Sequence, residues 1–125
     1  MVIRMKFDKY EKELIGDEKD KIINAVKKCF FYKNKNDISV LWNTFVQKPR
    51  CIPFEEIVTL DIPKKNLYFY LERENQLFVT SLKEIIEFVD SFEPWDEVDA
   101  YIFCESKDWI VAITHEDNLL LCLGV

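Results

Sequence analysis

Apolar residues recur along this chain with two different periods, and the change of period near residue 66 separates the elements they predict. Ile22, Ile23, Val26, Cys29 and Phe30 fall three or four residues apart, which places them on one face of a helix. Asp17 stands at the N-cap position, with Glu18 and Asp20 in the first turn and Lys27 and Lys28 in the last, the order of charge that suits a helix dipole. A helix is therefore predicted from Asp17 to about Cys29, after a break at Gly16-Asp17. Upstream, Met5, Phe7, Tyr10, Leu14 and Ile15 are mixed with charges and suggest a short helix or an extended lead-in. Downstream, Tyr32 to Asn36 is a polar loop. Asp37 is placed to cap a second helix with Val40, Leu41, Thr44 and Phe45 on one face and Trp42 near its edge, ended by Pro49. Cys51-Ile52-Pro53 is expected as loop, and Phe54 to Val58 as a short helical turn.

Beyond this point short apolar runs alternate with polar connections. Asn66 to Leu71 and Gln76 to Thr80 are rich in aromatic and β-branched residues, and Glu72-Arg73-Glu74-Asn75 between them has the length of a hairpin turn. Ser81 followed by Glu84 fits a capping box, opening a helix to about Asp90 in which Leu82, Ile85, Ile86 and Val89 share a face. Three further strands are predicted over Asp99 to Cys104, Trp109 to Thr114 and Leu119 to Gly124, joined by four polar residues each time. Connections that short suit an antiparallel meander. The fold class predicted is α+β, with N-terminal helices packed on an antiparallel sheet of about five strands and a C-terminal meander.

Composition narrows this further. At 125 residues, 49% hydrophobic and 14% aromatic, with two glycines, no linker and no repeat, residues 1–125 are expected to form a single domain with one substantial core. Neither a signal-peptide stretch nor a membrane-spanning run is present, so the expected compartment is the cytoplasm, with no membrane partner. Cys29, Cys51, Cys104 and Cys122 form no CxxC pair and sit among apolar neighbours, which reads as buried thiols in a reducing compartment. Cys104 and Cys122 are placed to lie on neighbouring strands.

Charge is unevenly shared. The chain carries a net −6, yet residues 1–83 total +4 and residues 84–125 total −10, with Lys107 the single base of that second part. An acidic region of this kind repels phosphate and attracts basic surfaces. Lys27, Lys28, Lys33 and Lys35 suit a helix end and a solvated loop, so nucleic acid is rejected as the partner. Within the acidic part, Glu93, Asp96, Glu97 and Asp99 surround Trp95, either as a solvated loop whose tryptophan tucks onto the core or as an aromatic anchor ringed by carboxylates.

The one histidine, His115, is followed by Glu116 and Asp117 in Ile113-Thr114-His115-Glu116-Asp117-Asn118. A general base with an orienting carboxylate is conceivable there, but adjacent residues on a strand or tight turn point apart, and a metal would need ligands from elsewhere. A turn held by Asx-type hydrogen bonds, or a polar contact surface, are the other readings. Nothing marks a cysteine as an activated nucleophile, and two glycines cannot build a phosphate loop. No cofactor and no resident metal is expected.

Tyr101-Ile102-Phe103, a polar turn, Trp109-Ile110-Val111, Thr114-His115-Glu116-Asp117 and the terminal Gly124 together resemble a group of small bacterial domains that includes cytoplasmic immunity proteins of contact-dependent and polymorphic toxin systems. The resemblance covers roughly the last 60 residues and brings no catalytic site with it. It implies a non-enzymatic protein that binds and neutralises a toxin domain. Combined with the charge pattern, it makes the expected partner basic, possibly a nuclease domain, met by Glu93, Trp95, Asp96, Glu97, Asp99, Glu105, Asp108, His115, Glu116 and Asp117. The protein is expected to be a monomer or a small homo-oligomer. A small enzyme or metal protein centred on His115, or a regulatory interaction subunit, are the alternatives.

Overall fold

The computed structural model describes residues 12–30, 50–60, 62–72, 74–90, 99–106, 108–113 and 118–123. In chain order these form β1 (Lys12–Leu14), α1 (Gly16–Phe30), β2 (Arg50–Pro53), a 3-10 turn (Phe54–Thr59), β3 (Leu67–Leu71), β4 (Gln76–Thr80), α2 (Leu82–Asp90), β5 (Ala100–Phe103), β6 (Trp109–Ile113) and β7 (Asn118–Leu123). The strands make one antiparallel sheet in the order β1-β4-β3-β5-β6-β7-β2. The fold is α+β. The predicted second helix beginning at Asp37, with Trp42, lies outside the described residues.

The five strands anticipated from the pattern are β3 to β7, and they form the contiguous centre of a sheet that has seven. The two additions are its edges. Lys12–Leu14 pairs with β4, where only an undefined lead-in was expected, and Arg50–Pro53 pairs with β7, where a loop was expected. Both are too short for an alternation to register, and Ile52 is the one buried position of β2. Pro53 fits there because an edge strand leaves one side of its ladder unpaired.

The central strands are buried on both sides, and their parity sorts two cores. Leu67, Phe69, Leu71, Phe78, Ala100, Ile102, Trp109, Val111 and Ile113 fall in one cluster with Ile57 of the 3-10 turn and Leu82, Ile85 and Phe88 of α2. Tyr70, Leu77, Tyr101, Phe103, Ile110 and Ala112 fall in the other with Leu14 and with Ile23, Val26 and Phe30 of α1. Alternate residues of a strand point to opposite faces, so a strand covered on both reads as a continuous apolar run. This is why β5 and β6 show no polar interruption: every one of their nine residues is buried.

Helix ends follow local chemistry. The Glu84 backbone N–H donates to Ser81 Oγ at 3.4 Å, the forward half of the expected capping box. Gly16, at φ +68°, supplies the left-handed turn between β1 and α1, a conformation that costs a side-chain-bearing residue about 1 kcal/mol or more. Along α1 the inward stripe is Ile23, Val26 and Phe30, which turns Cys29 outward.

Three of the four thiols therefore differ from expectation, the side chain of Cys122 lying outside those described. Cys29 and Cys51 are exposed and Cys104 is half-buried, its Sγ 2.9 Å from Ser106 Oγ. Apolar neighbours in sequence misled here because a residue flanking a buried stripe points elsewhere. Cys104 follows β5 and Cys122 lies on β7, so β6 stands between them and they are not on adjacent strands.

Candidate functional site

Strand register gives the sheet two ends with different chemistry. Leu71, Ala100, Ile113, Leu119 and Ile52 pair in succession and form a row across one end. Beyond that row lie the β3–β4 turn and Asp99, and there the chain leaves β6 at Ile113 and returns at Asn118. At the other end Leu67 faces Thr80, and Tyr68, Phe103 and Ile110 pair in succession, next to Glu105 and Asp108 of the β5–β6 turn. The two ends are about four residues of strand apart, roughly 14 Å.

This register divides the anticipated contact set. Asp99 belongs to the first end, and Glu105 and Asp108, both exposed, to the second. Asp99 is 2% exposed, so its carboxylate is interior and not part of a solvent-facing acidic surface, contrary to its expected place there. The reason is local: Asp99 immediately precedes the fully buried β5, and its backbone oxygen accepts from the Glu72 N–H at 3.0 Å, drawing it under the β3–β4 turn. Glu93, Trp95, Asp96, Glu97, His115, Glu116 and Asp117 lie outside the described residues. The described residues flanking them, Asp99, Ile113 and Asn118, are all at the first end.

That end also holds a polar cluster, which no single run of the sequence marks out. Tyr70 and Tyr101 are cross-strand partners, their rings stacked with centroids 6.0 Å apart. Tyr101 Oη donates to Glu72 Oε1 at 2.6 Å, and Tyr70 Oη lies 3.4 Å from its acceptor, Asn75 Oδ1. The turn closes through the Asn75 N–H donating to the Glu72 carbonyl at 3.2 Å, with Asn75 itself at φ 53°. Lys19 Nζ of α1 donates to the Asn75 carbonyl at 2.8 Å and ties the helix to the turn. The signal was present in the alternation, since Tyr70 and Glu72 are two residues apart and share a face. Glu74 is exposed on the same turn.

Burial, and secondarily the Glu72 charge, push the Tyr70 phenol up to about 12. Tyr68, on the same face toward the other end, is raised by burial first and then by Glu105 and Glu18. A phenol raised in the folded state stays neutral while its unfolded counterpart ionises near pH 10, so its stabilising contribution is complete below about pH 10 and is lost as the pH climbs toward about 12. Unfolding free energies measured across this window are expected to fall for the wild type and to fall less steeply for Tyr70→Phe. Parallel pH dependences for the two proteins would remove Tyr70 as the cause.

The two ends thus differ in what they offer. Both carry carboxylates, but at the first they rest on a hydrogen-bonded tyrosine floor and at the second they stand on a short turn. Among the described residues no three His, Cys, Asp or Glu side chains are grouped to hold a metal, and no helix is long and apolar enough to cross a membrane. No protein family, curated protein or solved structure matches the chain.

Proposed function

We propose that the protein is a non-enzymatic, cytoplasmic immunity protein that covers a basic toxin domain, possibly a nuclease, through an acidic surface of its C-terminal part. The observation that carries this reading is the segregation of charge: −10 over residues 84–125 against +4 over the rest. A nuclease has to be basic to hold nucleic acid, and an acidic face competes for the same groove while speeding encounter. Trp95 among Glu93, Asp96 and Glu97 supplies the aromatic-plus-carboxylate composition of a hot spot, and the carboxylates pair with Lys or Arg of the partner. The register adds a preference between the two ends. The chain enters β5 next to Asp99 at the end where Glu72 and Glu74 stand, which favours that end as the interface in this reading.

The test uses the toxin domain encoded next to this gene and two charge reversals at opposite ends of the sheet. Asp96→Lys with Glu97→Lys is expected to slow association by about tenfold or more at low salt and to flatten its salt dependence. Glu105→Lys with Asp108→Lys is expected to change the rate by less than about threefold. Asp99 is left intact because reversing a 2% exposed carboxylate tests folding rather than docking. Equal rates for wild type and the first variant would overturn the placement of the interface, and a metabolic gene neighbourhood with no toxin would overturn the class.

A further inference from the structure

Opposite in charge to the acidic residues 84–125, a groove of about 460 Å³ opens between the 3-10 turn, the lead-in to β3 and the start of α2. Its floor is apolar: Leu82, 3% exposed, half-buried Ile86, and Val58, which is 57% exposed and one of the two large hydrophobic side chains that the described surface leaves in solvent. Its rim carries Lys64, Lys65 and Lys83, all exposed. Among the described residues Glu87 is the one acid lining it, so those residues carry an excess of two positive charges in a protein whose net charge is −6.

The local structure holds this arrangement in place. The Leu82 N–H donates to the Lys64 carbonyl at 2.9 Å, fixing the lead-in against the first turn of α2. Lys64 Nζ donates to the Leu60 carbonyl at 3.0 Å, which pins that ammonium at the rim and uses one of its three N–H donors. Ser81, also in the lining, caps α2, so the positive end of the helix dipole opens on the same groove.

We propose that this groove binds a small anionic amphiphile, a molecule with one carboxylate or similar head and a single apolar tail. The tail lies over Val58, Leu82 and Ile86, and the head is held by the ammonium groups of Lys64, Lys65 and Lys83. Size decides against a protein occupant. Stable protein interfaces engage about 20–30 residues a side, whereas small-molecule sites run from about 300 to 1,000 Å³ and are mostly apolar with a few charged groups. The groove fits the second description. Its chemistry is also wrong for the basic partner proposed above, which its lysines would repel, so this site is separate from that interface.

Decanoate, below the concentration at which it forms micelles, is the probe, and amide NMR of the full chain is the readout. Decanoate is expected to shift the amides of Val58, Lys64, Lys65 and residues 81–87 saturably, while decyltrimethylammonium, with the same tail and the opposite charge, leaves them in place. Lys65→Glu with Lys83→Glu is expected to weaken decanoate binding by about tenfold or more, because both side chains are exposed and their reversal removes attraction without disturbing the core. Val58→Asp is expected to abolish binding while the melting temperature stays within a few degrees of the wild type. Equal response to the two amphiphiles, shifts scattered over the sheet, or undiminished binding by the lysine variant would each overturn the proposal.

Discussion

Replacing Phe69 with alanine is expected to lower the unfolding free energy by about 3–5 kcal/mol, a large share of the roughly 5–15 kcal/mol that holds a domain of this kind together. Phe69 sits in the middle of β3, is 0% exposed, and is flanked across the sheet by Phe78 on one side and Ile102 on the other. Its ring meets that of Phe88 of α2 nearly edge-on, with centroids 6.0 Å apart and an interplanar angle of 81°. The substitution empties space between the sheet and α2 that neighbouring strands cannot refill, because Phe78, Ile102 and Val111 are themselves at 0% exposure in the same close-packed layer. Urea denaturation gives the number. Phe88→Ala is expected to cost a similar amount, and the double mutant to fall short of the two summed losses by a coupling of about 0.5–1.5 kcal/mol. A coupling near zero would mean that α2 does not stack on this face through the ring pair.

What could be read from the chain and what could not divides along physical lines. The strands Leu67–Leu71, Gln76–Thr80 and Trp109–Ile113 announce themselves because each is a dense apolar run bounded by polar turns, and burial on both faces leaves nothing to interrupt them. Ser81 announces α2 because the cap is local, made between residues three apart. The edges β1 and β2 are different. Lys12–Leu14 becomes a strand only through Leu77 to Val79, more than sixty residues away, and Arg50–Pro53 only through Asn118 to Leu121. No local pattern carries a pairing whose partner is that distant. The same holds for the candidate site. Charge segregation was visible as a count, but Asp99 was grouped with exposed acids because position in sequence says nothing of which side of a strand start is covered. Nor did linear order show that Glu105 and Asp108 stand at the far end of the sheet from Asp99. The Tyr70, Tyr101 and Glu72 cluster needed the β3–β5 register, which places two tyrosines from distant segments side by side.

That cluster carries the second large effect. Tyr101→Phe is expected to lower stability by about 1.5–3 kcal/mol, the range for a hydrogen bond to a charged group. The bond from Tyr101 Oη to Glu72 Oε1 is 2.6 Å, the length of a hydroxyl donating to an ionised carboxylate. Phenylalanine preserves the ring, which is 1% exposed and stacked on Tyr70, so packing is retained and the loss isolates the hydroxyl. Glu72 is only half-buried, which lets water take part of the vacated role and moves the expectation toward the lower end of the range. Glu72→Gln keeps an acceptor but removes the charge, and it is expected to lose less than Tyr101→Phe. The pair of variants also bears on the interface. Glu72 anchors the β3–β4 turn at the end proposed to meet the toxin, so loosening it is expected to raise the dissociation rate while leaving the electrostatically steered association rate nearly unchanged. Urea denaturation of both variants, alongside dissociation kinetics of Tyr101→Phe, separates the two contributions. Wild-type stability in Tyr101→Phe would show that the turn does not depend on this bond, and a changed association rate with unchanged dissociation would place Glu72 among the steering charges instead.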